Sequence, residues 1–388
     1  MKDNNGQRRK NKFMKILHTG DLHLDSPFSS LSGELAQKAK AELRNTFSSM
    51  LSYAKEAETD LILISGDLFD SGFATRETAA LITRGFESVS CPIIISPGNH
   101  DCYSDNSIWK YMSFPDNVYI FSSSELSYFD FPHLGARVYG YAFESPSMKI
   151  CPLSGKTVED KSIINILCAH GDTSSPLSLY CPITSGDLVS FEADHAALGH
   201  IHNPEAANEA LRSKGISAVY CGCPQGRDFG ETGIKGALLT EIEKSGEKTQ
   251  VNTTFIPFSK KVYKEIQLEL DGAETTADII SELRTRISEE APDENTVLRA
   301  ELCGYISPRL AVVCSEIEEA CKDGLCSITV TNNTVPMLSS EELELDRGIR
   351  GEVYRLLSPT IENGSKEERN EALGALRYAL SALSGENI

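Results

Sequence analysis

The chain has 388 residues, 40% hydrophobic and 24% charged, with a formal net charge of −19. Two or three globular domains are expected, and a charge this negative, spread as −12 over residues 13–258 and −11 over residues 259–388, excludes a chain that grips nucleic acid by its own surface. No apolar run approaches the ~20 residues of a membrane span, and eleven cysteines without a Cys-x-x-Cys pair exclude zinc-ribbon and disulfide frameworks, leaving small core residues in a reducing cytoplasm.

The opening "MKDNNGQRRKNKF" is basic from Arg8 to Lys12 and lacks an apolar h-region, so residues 1–12 read as a disordered basic tail rather than a signal peptide. A strand follows from Phe13 to Leu17 and ends in Asp21 and His23 of "HTGDLHLDSP". Residues i and i+2 share a side of a strand, so this acid and imidazole can reach one point. "LILISGDLFD" is a buried strand ending in Asp67 and Asp70, and "PIIISPGNHD" ends in Asn99, His100 and Asp101. Helical stretches at about 34–58 and 75–88 lie between these strands. Strand, helix, strand, helix, strand predicts parallel pairing, with ligands gathered beyond the carboxyl ends. Further on, "IINILCAHGD" ends in His170 and "HAALGHIH" in His200 and His202. Gly20, Gly66, Gly98 and Gly199 precede these polar residues and are expected to make sharp turns.

Five of the eight histidines sit in these loops. His18, His133 and His195 do not, and read as core or surface imidazoles. Nitrogen and oxygen donors without thiolate suit Mn, Fe or Zn and disfavour a structural zinc. The donors are too many for one ion. Two ions sharing a central carboxylate, most naturally Asp67, could clamp an in-line displacement at phosphorus.

From Lys260 the pattern changes. "KKVYKEIQLEL", "TVLRAELCGYI" and "CSITVTNN" read as strands, with "TADIISELRTRI" and "PRLAVVCSEIEEACK" as helices between them. This predicts a small α/β domain over about 260–335. Two helices are expected next. Leu345, Ile349, Val353 and Leu356 share a face of the first. Ser365 and Glu368 form a capping box for the second, which presents a stripe of Leu373, Leu376, Leu380 and Leu383.

The strand-end residues resemble the five signature motifs of the calcineurin-like metallophosphoesterases: Asp21-Leu-His23, Gly66-Asp67-Leu-Phe-Asp70, Gly98-Asn99-His100-Asp101, His170, and Gly199-His200-Ile-His202. The resemblance covers about residues 13–258. It implies an α/β sandwich, with one divalent metal held by Asp21, His23, Asp67 and His202. A second would be held by Asp67, Asn99, His170 and His200, and Mn²⁺ is the favoured ion, with Fe or Zn as alternatives. His100 is then the general acid, oriented by Asp101, and Asp70 supports the ligands. Within the superfamily, "KILHTGDLHLDSP", the segment "VYCGCPQGRDFGETGIKG" and about 130 further residues resemble the SbcD-type (YhaO-like) DNA repair exonucleases. Cys223 stands where that branch commonly has Ser. The resemblance implies a catalytic domain over 13–258, a capping domain over 259–336 and C-terminal helices over 337–388 for partner docking. It also implies a cytoplasmic phosphodiesterase acting on DNA with an SbcC-like coiled-coil ATPase, and it is compatible with a homodimer. A phosphatase or small-molecule phosphodiesterase on the same site, or a weakly active scaffolding protein, are the rival expectations.

Overall fold

The computed structural model describes residues 13–384 other than 30, 32, 71, 308 and 337–339. The basic tail expected over residues 1–12 lies outside the described residues. The chain divides into two compact units, one ending at Tyr263 and the other starting at Lys264.

The first unit is built on two sheets. In chain order its strands are β1 (Met14–Thr19), β2 (Leu61–Ile64), β3 (Ile93–Ile95), β4 (Val118–Ile120), β5 (Ser127–Phe131), β6 (Ala136–Gly140), β7 (Ile164–His170), β8 (His195–Gly199), β9 (Ala218–Tyr220), β10 (Gly236–Ser245) and β11 (Lys248–Pro257). Six form one sheet in the order β11-β10-β1-β2-β3-β4, and five form the other in the order β5-β6-β7-β8-β9. The strands from β1 to β4 pair in parallel, as the alternating pattern predicts. So do those from β6 to β9. The β4–β6 segment carries no strand signal of comparable strength, because β4 has three residues and β5 alternates mostly exposed side chains.

Strand periodicity explains the layers. Leu61 and Leu63 of β2, and Ile94 of β3, pack with Ile166 and Cys168 of β7 in a core between the sheets. The intervening Ile62, Ile64, Ile93 and Ile95 face the other way. They pack under Phe47 and Leu51 of helix α1 (Gly33–Glu56) and Ile82 and Phe86 of α2 (Arg76–Glu87). Leu167, Ala169 and Leu198 likewise lie under Leu188 and Phe191 of α3 (Ser185–Phe191) and Leu211 of α4 (Glu205–Ser213). The result is a four-layer α/β sandwich. His18 and His195 are buried within it and held neutral, at about 3 and about 4, chiefly by burial.

From β12 (Val262–Ala273), which crosses the boundary, the second unit runs through α5 (Thr276–Glu289), β13 (Thr296–Ile306), α6 (Cys314–Cys321) and β14 (Ser327–Asn332) in the predicted strand-helix order. Ile266, Leu268 and Leu270 alternate into a core with Ile279 and Leu283 of α5 and Ile317 of α6. Among the described residues three helices follow rather than two: α7 (Ser340–Leu345), α8 (Ile349–Asn363) and α9 (Lys366–Ser384). The Ser365–Glu368 capping box is present. Leu376 and Leu380 of α9 pack with Tyr354, Val353 and Leu357 of α8, so the stripe packs on the protein's own body. Leu345, Ile349 and Leu356 are instead 81%, 66% and 78% exposed. Among the described residues no helix is long and apolar enough to cross a membrane.

Candidate metal centre

The loops leaving β1 and β2 stay paired past the strands. The backbone N–H groups of Asp21 and His23 donate to the carbonyls of Gly66 and Asp67 at 3.0 and 2.9 Å, and Asp70 N–H donates back to Leu24 at 3.0 Å. This keeps the two acid loops in register. Asp21, His23, Asp67 and His200 all have positive φ, at 50°, 46°, 51° and 107°. Left-handed backbone in non-glycine residues is costly and concentrates at functional sites. The expected glycine turns are thus made mostly by the ligand candidates themselves. Gly66 alone of the four glycines is left-handed, at 93°. Gly98 and Gly199 are needed for close approach: a Cβ on Gly98 would collide with Asp67 Oδ1, and one on Gly199 with the Ser65 carbonyl.

Three imidazoles converge with a fixed tautomer. His23 Nδ1 donates to Asp70 Oδ1 at 2.8 Å, His170 Nδ1 to the Ser65 carbonyl at 2.9 Å, and His202 Nδ1 to Glu231 Oε1 at 2.6 Å. At His23 and His170 the partner only accepts, and at His202 the Glu231 oxygen at 2.6 Å lies closer than the donor Arg227 Nη2 at 3.2 Å, so each Nδ1 bears the proton and each Nε2 presents a lone pair. Those lone pairs point at one another and at carboxylates. His23 Nε2 lies 3.3 Å from His202 Nε2 and 3.7 Å from Asp67 Oδ2. His202 Nε2 lies 3.7 Å from Asp21 Oδ1, and His170 Nε2 lies 3.4 Å from Asp67 Oδ2. Acceptors buried face to face repel unless a cation lies between them. Ligands about 2.1 Å from one ion sit about 3.0–3.4 Å apart, close to these spacings. The donor atoms of Asp21, His23 and His202 converge within 4.8 Å, as do those of Asp21, Asp67 and His170. The donor set therefore fits two cations, and Asp21 joins Asp67 near the centre of it.

The remaining expected residues fall around this cluster. Asn99 Oδ1 is 2.9 Å from His170 Nε2. His200 donates its backbone N–H to both oxygens of Asp21, at 3.1 and 3.0 Å, while its ring packs against those of His170 and Tyr180. Burial, with His170 beside it, lowers the His200 pKa to about 4. His100 is half-exposed at the rim. Its orienting carboxylate is Asp70, with Nδ1 to Oδ1 at 3.0 Å, rather than Asp101 as expected. The Asp101 carboxylate is buried and accepts from the backbone N–H groups of Gly98, Asp67 and Leu68 at 2.6, 3.2 and 2.8 Å. It clamps the Asp67 and Asn99 loops together instead. Burial alone would raise the Asp70 carboxyl, yet hydrogen bonds from His100 and His23 hold it well below the usual carboxylate range.

Sequence reasoning misses Glu231 as part of the centre, although it lies in the glycine-rich segment that follows the last motif. Arg227 Nη2 donates to Glu231 Oε1 at 2.6 Å. Their link to the centre depends on His202, 29 residues from Glu231. An acid four residues after an arginine in that segment is the available signal.

Residues 14–222 match the family Metallophos, calcineurin-like phosphoesterase. The chain belongs to the calcineurin-like phosphoesterases. Members are hydrolases that use a dimetal centre, which agrees with the geometry around Asp21 and Asp67. The chain is 32% identical over 241 residues to an uncharacterized metallophosphoesterase, YhaO, of Bacillus subtilis (strain 168), covering 59% of this chain and 57% of that protein. It thus spans little more than half the length of that relative. It is 25% identical over 291 residues to the SbcD component of the SbcCD nuclease of Staphylococcus epidermidis, covering 66% of this chain and 72% of that one. Among solved structures, Vacuolar Protein Sorting 29 from Cryptosporidium parvum aligns over 64% of this chain and all of its own, at 12% identity and a TM-score of 0.27.

Proposed function

We propose that this phosphoesterase is a dimetal phosphodiesterase that cleaves DNA, working in the cytoplasm with a coiled-coil ATPase partner of the SbcC kind. The observation that supports the chemistry is the set of three Nε2 lone pairs aimed at two buried carboxylates. Asp21, His23, Asp67 and His202 would hold one ion, and Asp67, Asn99, His170 and His200 the other, with Mn²⁺ the favoured metal. Two such ions supply a hydroxide near neutral pH and neutralise the phosphate. Asp101 keeps the Asp67 and Asn99 loops together, so the donors are preorganised. His100, with Nδ1 on Asp70, is free to hold a proton at Nε2 for the leaving sugar oxygen. The similarity to the SbcCD nuclease component supports DNA as substrate, and the acidity of the chain supports a partner that provides the DNA-binding surface. We place the partner contact on the exposed Leu345, Ile349 and Leu356.

The test is a substrate panel with Mn²⁺: single-stranded DNA, duplex DNA, a cyclic nucleotide and a phosphomonoester, each with the protein and its Asp67→Asn variant. DNA cleavage that vanishes with Asp67→Asn is expected, together with loss of metal from both sites. Robust phosphomonoester turnover without DNA cleavage would assign the site to a phosphatase instead.

A further inference from the structure

Glu231 is buried beside the centre and touches none of the opposed lone pairs. Its Oε1 accepts from His202 Nδ1 at 2.6 Å. Arg227 then grips the same carboxylate along its whole edge. Its backbone N–H donates to Oε2 at 2.8 Å, its Nε to Oε1 and Oε2 at 3.2 and 3.3 Å, and its Nη2 to Oε1 at 2.6 Å. A carboxylate held at four points cannot rotate away from the imidazole. Building on the dimetal reading, we propose that Glu231 is a positioning residue that aims His202 at its ion, and that Arg227 locks Glu231 in that pose.

At His202 Nδ1 the acceptor-only Glu231 oxygen at 2.6 Å outcompetes Arg227 Nη2 at 3.2 Å, which fixes the proton there and leaves Nε2 as the ligand atom, and a carboxylate makes the ring a more basic donor. His23 is backed in the same way by Asp70, whereas His170 is backed only by the neutral Ser65 carbonyl. The two ions are therefore inequivalent, and Glu231 serves the one shared by Asp21, His23 and His202. Cys223 also approaches this side of His202, and His202, Cys223 and Glu231 could by themselves be taken for a third cation site. Arg227 argues otherwise. Its Nη2 lies 3.2 Å from His202 Nδ1, so the positive charge on that side is already a guanidinium.

The experiment is direct Mn²⁺ binding to the full-length, metal-stripped protein, followed by EPR and calorimetry. The wild type should take up two equivalents. Glu231→Gln should weaken one ion by about 10–100-fold and leave the other unchanged. In a His202→Ala background the same substitution should have no further effect, because its action runs through that ring. Arg227→Lys keeps the charge but loses the planar fork, and should weaken the same ion while the thermal midpoint stays close to that of the wild type. A wild type without Mn²⁺ binding overturns the centre itself. Two wild-type equivalents with an indifferent Glu231→Gln overturn only the Glu231 assignment. So does an effect that adds in full to His202→Ala, or one that weakens both ions alike.

Discussion

His100 stands half-exposed beside a buried cluster, and that position separates its role from those of its neighbours. The Asp70 hydrogen bond raises its pKa above the ordinary 6.5, against the opposing effect of burial. In the metal-free protein, NMR should show His100 titrating above 6.5, and Asp70→Asn should bring it down. The sign for stability follows: the contribution is complete below the unfolded pKa and is lost as pH rises through the folded one. In the loaded enzyme His100→Asn should keep both metals and lower kcat by about 10²–10⁴-fold. Metal content falling in step with activity would make His100 a ligand. The donor types are legible residue by residue, since an Asp or His at a strand end announces itself. Which carboxylate orients His100 is not. Asp101 is adjacent in sequence, yet Asp70 is adjacent in space, its Oδ1 3.0 Å from His100 Nδ1.

At the scale of elements, the site depends on strand ends that meet more closely than side chains normally permit. The parallel strands and their two flanking helices are readable from four-residue apolar runs and helical spacing. The glycines, expected to turn the chain, mostly serve contact between loops. Gly98→Ala should therefore push the Asp67 carboxylate out of place, since the added Cβ would collide with Oδ1. Metal content should drop sharply while the far-ultraviolet circular dichroism remains that of the wild type. Full metal occupancy in this variant would mean that the loop yields at little cost. The last helices illustrate the same limit. A leucine stripe on α9 is visible in the sequence, but whether it meets α8 or a partner depends on which surface is nearer.

For the whole molecule, the division at Tyr263 separates the family match from a second α/β unit with its own core. A chain truncated after Tyr263 should bind two Mn²⁺ and hydrolyse phosphoesters much as the full protein does, but should no longer co-purify with the proposed ATPase partner. Persistence of the complex in that truncation would move the docking site into the first unit. The isolated full-length chain should bind DNA weakly, because its net charge of −19 opposes the phosphate backbone. Tight, salt-sensitive binding measured by fluorescence anisotropy would remove the need for a partner.

The sequence alone determined the residue types at the strand ends and the order of β1 to β3 and of β12 to β14, and it put the candidate ligands at or just past the carboxyl ends of strands. Those are local properties, set by residue type and by spacing over a few positions. Only the tertiary structure decided the pairings. His23 meets His202, and Asp21 meets the His200 backbone, across 179 residues of chain. Glu231 backs His202, Asp70 takes His100, and Asp101 is spent on backbone amides. Such contacts depend on how the two sheets stack and how their loops interlock. No periodicity along the chain encodes that, because it arises from close packing between segments far apart in sequence.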